Sequence, residues 1–359
     1  MKYIGNKKRL LQFIDSVVEK EELPKKGTFI DIFTGTTNVA QYFKKKGYNL
    51  ITNDFMTYSY VFQKTYIENN YYPTFKKLIS ELEIKEPLGL FQSSPDVYLT
   101  AVINYLNSLG GKEGFMYKNY APSGGHERQF FSNDNAKKID EARDTIEQWK
   151  IQGLINDDEF YILVSSLIDA ADFVANMSGT YGAYLKIWRS MALKPFTMLV
   201  PKLVNGGLPH QVYKEDSNQL IKKIKGDILY VDPPYNGRQY APNFHILETL
   251  AKWDSPNIKG KVGLRPYEHQ KSLYSQKTNC KEAFADLIVN ADVGYILMSY
   301  NNEGIIPPEF IREILSKRGE VKIYEQNYRR FRTERDHEKR HYKVPDDKVT
   351  EIIYFVKTR

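Results

Sequence analysis

Short apolar runs that alternate with helical patterns lie towards both ends of this chain. Runs rich in β-branched and aromatic residues, bounded by turn formers, predict strands at residues 28–33, 48–52, 227–231, 294–299, 321–328 and 349–356. A helix is predicted directly after the first strand, at residues 39–46. Strands that alternate with helices are typical of an α/β fold. The pattern therefore predicts a parallel or mixed α/β sheet.

Between the second and third predicted strands the pattern becomes helical. Apolar residues recur at helical spacing over residues 71–82, 96–109, 134–152 and 157–176. Asn156 followed by Glu159 resembles a capping box, which begins a helix. We predict a mainly helical insertion at residues 58–208 and a sheet domain formed by residues 1–57 and 209–359. A chain of 359 residues is long enough for a core domain and an insertion.

Charge and cysteine content set broad limits on the class of protein. Lys and Arg number 51 and Asp and Glu 44, which gives a net charge of +7 and a pI near 9.0 and permits a polyanionic partner. The single cysteine, Cys280, excludes an internal disulfide and offers no cysteine cluster for zinc, and we predict no metal site. No signal-peptide pattern and no apolar run of the ~18 residues that cross a bilayer is present in the sequence. We therefore expect a cytoplasmic protein without a membrane partner.

The most informative chemistry follows the predicted strand at residues 227–231. Asp232, Pro233, Pro234 and Tyr235 come directly after it. Two successive prolines cannot continue a β-ladder, so they end the strand in an extended turn whose carbonyls point outward. The Asp232 carboxylate and the Pro233 carbonyl can accept the two hydrogens of a planar amine, while Tyr235 offers an aromatic face to a heterocycle. Taken alone, the same four residues also suit an ordinary surface turn.

A second candidate site follows the first predicted strand. Residues 28–33 run into a tight loop at residues 34–38 and then into a helix, an arrangement that binds nucleotide-like cofactors at the carboxyl edge of a parallel sheet. Asp54 lies about 20 residues after the loop, where an acid can accept hydrogen bonds from ribose hydroxyls. Because Gly35 is the only glycine of the loop, it suits a cofactor without phosphates, such as S-adenosylmethionine, better than a pyrophosphate. A plain β–α connection is the alternative.

One segment of the insertion has side chains that can read DNA bases. Residues 114–129 are rich in turn formers, aromatics and polar donors, and we predict a loop that enters a groove of DNA. Arg128 has the donors that recognise guanine in the major groove, Asn119 or Gln129 can pair with adenine, and Lys118 adds a positive charge. The alternative is a long connection that packs against neighbouring helices.

The densest positive charge of the chain lies in residues 329–343. This run includes Arg329, Arg330 and Arg332, and it predicts contact with phosphates. Acidic residues are interleaved with the basic ones, so a solvated loop is the alternative.

Together these motifs resemble those of the Dam-like, D12 class of adenine-specific DNA methyltransferases, over nearly the whole chain. Residues 232–235 match the catalytic motif of that class, and residues 2–7 are similar to its amino-terminal motif beside the cofactor. Residues 296–302 are similar to its next core strand and residues 328–332 to its basic carboxyl-terminal segment. One position departs from the family pattern, since the loop usually reads Gly-x-Gly and Thr37 occupies the second glycine position.

The resemblance implies a Rossmann-like methyltransferase sheet with helices on both faces and a target-recognition domain at residues 58–208. It implies that S-adenosylmethionine is bound by residues that include Tyr3, Lys7, Asp31, Phe33, Gly35, Thr36, Asp54 and Asp216. The implied reaction is methyl transfer to the N6 amine of an adenine that has flipped out of duplex DNA. A prokaryotic or phage enzyme of this kind acts alone or beside a restriction endonuclease.

Four alternatives remain open from the sequence. A cytosine-N4, an RNA or a protein-amide methyltransferase would present a similar planar nitrogen to the same pocket. A non-catalytic DNA-binding protein on the same fold belongs to a different class, and the intact residues 232–235 argue against it.

Overall fold

A seven-stranded mixed sheet is the centre of the fold. The computed structural model describes residues 7–83, 94–329 and 348–359. The strands are β1 (Thr28–Asp31), β2 (Asn49–Asn53), β3 (Gln211–Tyr213), β4 (Lys225–Val231), β5 (Asp292–Asn301), β6 (Val321–Arg329) and β7 (Lys348–Lys357). Their order across the sheet is β3-β2-β1-β4-β5-β7-β6. The five strands β3, β2, β1, β4 and β5 are parallel to one another, whereas β7 is antiparallel to both β5 and β6.

Each of the five helices for which the sequence predicted bounds overlaps a helix of the described residues, and further helices are present beside them. The helices are α1 (Leu11–Lys20), α2 (Asn38–Lys45), α3 (Thr57–Gln63), α4 (Lys76–Glu81), α5 (Val97–Ser108), α6 (Phe115–Tyr120), α7 (Asn133–Ile151), α8 (Asp157–Phe173), α9 (Ser217–Leu220), α10 (Tyr240–Asn243), α11 (His245–Lys252), α12 (Cys280–Val289) and α13 (Pro308–Ser316). The predicted capping box is confirmed, because the Asn156 side chain accepts from the Glu159 amide and Glu159 accepts from the Asn156 amide, each over 2.9 Å. Helix α6 lies in the segment predicted as a loop, and the short strand β3 was not predicted.

The chain divides into two compact units. The helical unit comprises Lys64–Asn205 and Ala241–Tyr267, and the sheet unit comprises the described parts of residues 4–63, 206–240 and 268–359. Residues 241–267 thus join the helical unit, although the predicted division placed them with the sheet. The reason is long-range hydrogen bonding: Arg143 of α7 donates to the Leu250 carbonyl over 2.9 Å, and the Tyr120 hydroxyl donates to the Gly263 carbonyl over 2.7 Å.

In the sheet unit, apolar side chains of β1 and β4 are buried on both faces, as expected for central strands of a covered sheet. On one face Phe29 of β1 stacks on Phe43 of α2, with ring centroids 4.0 Å apart. On the other face Ile30 packs into a cluster that contains Phe284 and Leu287 of α12. The predicted α/β sheet with helices on both faces is confirmed. Within the described ranges, none of the helices combines the length and the apolar character that a membrane span requires.

Candidate active site

The carboxyl ends of β1, β2 and β4 lie side by side at one edge of the sheet. Asp31 is opposite Thr52 of β2 and Tyr230 of β4 in the two parallel pairs. Asp31 therefore ends β1 at the level where β2 leads into Asp54 and β4 leads into Asp232. The sheet brings the loop motif and the proline-rich motif, which are far apart in the sequence, to a single site.

Two donors hold the carboxylate of Asp232. The Tyr235 hydroxyl donates to Asp232 Oδ1 over 2.7 Å, and the ammonium nitrogen of Lys7 lies 3.3 Å from the same oxygen. Burial raises the pKa of Asp232, whose side chain is 14% exposed. The charge of Lys7 has the larger opposing effect on this pKa, and the hydrogen bond from Tyr235 has the next largest. Asp232 is thus an oriented acceptor at the sheet edge.

The ring of Tyr235 is fixed by contacts at its hydroxyl and at its side. Lys7 donates a short hydrogen bond to the hydroxyl, and Ser299 Oγ of β5 lies 3.2 Å from it. The ring packs edge to face against Tyr300, with centroids 4.7 Å apart. The Tyr235 carbonyl also accepts from the Ile305 amide over 2.9 Å. These contacts give a definite orientation to the ring that we predicted to stack on a heterocycle, and Pro233 before it is buried.

The sequence predicted Lys7 as a cofactor-binding residue, but it did not predict Glu351 or the contact between Lys7 and Glu351. The Lys7 ammonium nitrogen lies 3.4 Å from Glu351 Oε2 of β7 as well as beside Asp232, and both side chains are almost fully buried. The contacts shown by the structure join Lys7 to residues 232–235, and its predicted contact with the cofactor stays a prediction. The sequence contains one indication of a role for Glu351, because this charged residue interrupts the otherwise largely apolar run at residues 349–356.

The loop after β1 is fastened to the end of β2. Asp54 Oδ2 accepts from the Gly35 amide over 2.9 Å, and Asp54 Oδ1 accepts from the Met56 amide over 2.9 Å. The backbone of the loop has positive φ at Gly35 (+55°) and at Thr37 (+63°). A left-handed conformation at Thr37 explains why the family favours glycine there. Gln41 donates to the Thr37 hydroxyl over 2.8 Å and helps to hold this conformation.

Asp31 provides the test of whether the site suits a cationic cofactor. Its side chain is buried, and its Oδ1 atom has no hydrogen-bond partner among the described residues. Burial is the largest cause that raises the pKa of Asp31 well above its usual value, and the negative charges of Asp232 and Asp54 raise it further. A buried carboxyl oxygen without a hydrogen-bond partner is costly unless a ligand supplies one. These residues therefore fit a cofactor that carries positive charge, as S-adenosylmethionine does.

The other predicted cofactor residues occupy varied positions in the sheet unit. Phe33 is partly buried, and its ring packs edge to face against Tyr274. Thr36 accepts from the Asn38 side chain over 2.7 Å. Asp216 is exposed and caps α9 by accepting two backbone amides at 3.0 Å. Contact of these residues with a cofactor stays a prediction, and Tyr3 lies outside the described residues.

The predicted DNA-binding residues of the insertion differ in accessibility. Lys118 is exposed, while the Asn119 amide is half-buried and donates to the Phe115 carbonyl over 2.9 Å. Arg128 is 6% exposed, and its guanidinium donates to the carbonyls of Asn119, Gly260 and Lys261. These contacts favour a structural role for Arg128 over the contact with guanine that we predicted, because a base reader needs an accessible guanidinium.

The predicted phosphate contacts of the carboxyl-terminal segment lie beyond what the structure describes. Arg330 and Arg332 are outside the described ranges, and Arg329 is described only as the last residue of β6.

Comparison with known proteins finds a matching family model and several similar methyltransferases. The family model of the D12 class N6 adenine-specific DNA methyltransferases matches residues 3–341. The chain is 41% identical over 359 residues to the type II methyltransferase M.FokI of Planomicrobium okeanokoites, covering 99% of this chain and 52% of that protein. It is 38% identical over 344 residues to the type II methyltransferase M.NlaIII of Neisseria lactamica, covering 95% of each. The modification methylase StsI of Streptococcus sanguinis is 40% identical over 93% of this chain and 49% of its own length. The chain thus spans about half the length of the first and third of these relatives.

Proposed function

Because the chain belongs to the D12 class of N6 adenine-specific DNA methyltransferases, we propose that it methylates the N6 nitrogen of adenine at a specific site in duplex DNA. The observation that carries this proposal is the position of Asp232 and Tyr235 beside Asp31 and Asp54 at one sheet edge. An oriented acceptor for an amine and a site for a cationic cofactor are the two parts that such a reaction requires.

We assign the capture of the target amine to Asp232 and Pro233. Both observed donors to Asp232 reach its Oδ1 atom, and we assign Oδ2 and the Pro233 carbonyl to the two N–H groups of the adenine amine. The lone pair of that amine is delocalised into the ring. Hydrogen bonds from both N–H groups rotate and pyramidalise the amine, which localises the lone pair for attack. Because the amine becomes cationic as its new bond forms, an anionic acceptor stabilises the transition state more than the ground state.

We assign the binding of S-adenosylmethionine to the loop after β1 and the acids around it. The bound cofactor supplies an electrophilic methyl group on a sulfonium. The unpartnered Asp31 oxygen supports this assignment, as does the position of Asp54 for ribose hydroxyls. The residues assigned here are Tyr3, Lys7, Asp31, Phe33, Gly35, Thr36, Asp54 and Asp216.

The target adenine reaches this site by leaving the duplex. A base inside the helix does not expose its amine to a pocket, and extrusion costs a few kcal/mol. Tyr235 receives the flipped base on its ring. We assign duplex contacts to Lys118 and Asn119 in the helical unit, whose role as a target-recognition domain is part of this proposal, and to Arg329, Arg330 and Arg332. The location that follows is the cytoplasm of a prokaryotic or phage-infected cell.

A labelled-methyl assay tests the proposal. The protein is incubated with tritiated S-adenosylmethionine and a pool of duplex DNA, single-stranded DNA or RNA, and the products are digested to nucleosides. We expect label in N6-methyl-2′-deoxyadenosine from the duplex pool. Label in N4-methyl-2′-deoxycytidine, or in RNA alone, would contradict the assignment of substrate. Absence of label from every pool would contradict the assignment of an enzyme.

A matched pair of variants tests the role of Asp232. Asp232→Ala should abolish turnover while the affinities for cofactor and duplex change by no more than several-fold, because its hydrogen bond acts in the transition state. The control is Asp227→Asn, an exposed acid on the same strand, which should keep wild-type turnover. Turnover by Asp232→Ala above about one tenth of the wild-type rate would reject the role of Asp232.

A further inference from the structure

Glu351 has no assigned role, although it completes a buried cluster of charges around the candidate active site. Lys7 lies between two carboxylates, 3.3 Å from Asp232 Oδ1 and 3.4 Å from Glu351 Oε2. The exposed fractions of the three side chains are 5% for Lys7, 14% for Asp232 and 9% for Glu351. A cluster as buried as this is only weakly screened by solvent, so each unit charge affects the others strongly.

The topology of the sheet places Glu351 at this edge. Strand β7 lies between β5 and β6, and Glu351 is opposite Asn301 at the end of β5. The same stretch of β5 carries Ser299, whose hydroxyl contacts Tyr235. Strand β5 in turn pairs with β4, which leads into Asp232. Two neighbouring strands therefore supply the surroundings of the amine acceptor.

The charges of the cluster add up to a net negative site. Burial lowers the pKa of Lys7, but the charges of Asp232 and Glu351 outweigh burial and raise that pKa above its usual value. Lys7 is therefore a cation at neutral pH. Burial raises the pKa of Glu351 and of Asp232, and the charge of Lys7 opposes that rise for both. With both carboxylates ionised, the site carries one positive and two negative charges. If Glu351 were neutral, Lys7 and Asp232 would form a neutral pair.

The net charge matters because of the charge that develops on the substrate. The adenine amine becomes positive while its bond to the methyl group forms. A neutral Lys7–Asp232 pair would accept the amine hydrogens but would stabilise the new positive charge less than an unpaired carboxylate does, since Lys7 repels the charge that Asp232 attracts. A second carboxylate on the far side of Lys7 offsets that repulsion.

We propose that Glu351 is a positioning residue that holds Lys7 and balances its charge, so that Asp232 acts as a net anionic acceptor when the amine is methylated. This inference rests on the proposed function. It differs from a purely structural role, in which Glu351 would only satisfy a buried ammonium. A structural role affects folding and binding, whereas charge balance affects the chemical step.

The test is a set of single-turnover methylation rates with saturating cofactor and duplex, together with the affinities for both. Glu351→Gln keeps the shape of the side chain and removes its charge. We expect it to slow the chemical step by about tenfold to hundredfold, while both dissociation constants stay within about threefold of wild type. Glu351→Asp keeps the charge and should recover most of the lost rate.

A double variant gives the sharper outcome. Lys7→Met together with Glu351→Gln removes one positive and one negative charge, which returns the site to a net charge of −1. We therefore expect the double variant to be faster than Glu351→Gln alone. If the rate loss of the double variant instead equals the product of the losses in Lys7→Met and Glu351→Gln measured singly, the charge-balance proposal is wrong. Should Glu351→Gln fail to fold, Glu351→Asp and the double variant are compared instead, because both leave a net charge of −1. If their rates are equal to each other and far below the wild-type rate, the charge-balance proposal is rejected.

The matched control is Glu21→Gln in the same unit. Glu21 is 8% exposed and pairs with Lys322 over 2.7 Å. Lys322 is opposite Phe355 of β7, about 14 Å along the strand from Glu351 at 3.4 Å per residue. We expect an unchanged rate for this control. The proposed function and the inference fail separately: a wild-type protein that methylates no adenine rejects the function, whereas an active wild type with an equally active Glu351→Gln variant rejects only the role of Glu351.

Discussion

Replacing Tyr235 with phenylalanine separates the stacking ring from the hydroxyl that orients Asp232. The ring remains, so stacking with a flipped base should persist. The change removes the donor that reaches Asp232 Oδ1 over 2.7 Å and the contact with Ser299 Oγ at 3.2 Å. If only the ring mattered, Tyr235→Phe would keep the wild-type rate.

The size of the effect follows from the bonds that are lost. A hydrogen bond to a charged group contributes ~1.5–3 kcal/mol, and each ~1.4 kcal/mol in the barrier is tenfold in rate. Lys7 still holds Asp232 Oδ1 after the change, so the lower end of this range applies. We expect the chemical step of Tyr235→Phe to be slower by about tenfold.

The pH dependence should change in a definite direction. The Tyr235 hydroxyl lowers the pKa of Asp232 against the larger opposite effect of burial. Without the hydroxyl this pKa rises, and the acceptor is protonated at a higher pH than before. Activity that requires ionised Asp232 is lost as pH falls through that pKa, so the acid limb of the rate profile should move to higher pH.

The assay is single-turnover methylation across pH, since product release can mask a slower chemical step in the steady state. Fluorescence of 2-aminopurine at the target position reports extrusion of the base in parallel. Tyr235→Ala is the comparison, because it should also lose ~1–3 kcal/mol of stacking and therefore bind the duplex more weakly. A Tyr235→Phe rate within twofold of wild type, with an unmoved acid limb, would refute a role for the hydroxyl.

Three further predictions concern the loop, the cofactor site and a buried lysine. Thr37→Gly should be more stable in urea than Thr37→Ala by up to about 1 kcal/mol, because both lose the hydroxyl and only alanine keeps the strain of φ +63°; the usual order, with alanine more stable, would exclude that strain. Asp54→Ala should weaken S-adenosylmethionine binding by ~1.5–3 kcal/mol in calorimetry, and an unchanged affinity would remove Asp54 from the site. Burial lowers the pKa of Lys44 to about 7 from 10.5, so the unfolded chain binds more protons across that window and the free energy of unfolding should rise with pH there; Lys44→Met should abolish the rise, and a rise of the same size in the variant would assign it to other groups.

Local patterns in the sequence were sufficient for most of the sheet and for the acceptor motif. The six predicted strands are present because each is a short apolar run bounded by turn formers, and such a signal does not depend on distant residues. Residues 232–235 alone also suited a surface turn, and they could be recognised as an acceptor motif because a second motif after the first strand and the family resemblance agreed with it. Asp54 followed from its position about 20 residues after the loop, and Asp31 was implied by the family resemblance.

The neighbours of the acceptor were decided only by the tertiary structure. Lys7 and Glu351 are 344 residues apart in sequence, and they meet because β7 inserts antiparallel beside β5. Strand β3 has three residues, too few to show a period. Residues 241–267 belong to the helical unit because carbonyls of this segment accept hydrogen bonds from Arg143 of α7 and from Tyr120.

Arg128 shows the same limit in the helical unit. The composition of residues 114–129 suggested that Arg128 reads a base. Two of the carbonyls that accept from Arg128, those of Gly260 and Lys261, nevertheless come from a segment more than a hundred residues later. A guanidinium is available to a ligand only if the fold leaves its donors unpaired, and those partners are backbone groups that any residue type provides. The sequence by itself therefore determined the strands, the acceptor motif and the acids at the strand ends. Which charges are buried together, and which donors remain for a ligand, was decided by contacts between distant segments, because hydrogen-bond satisfaction is a property of the folded chain.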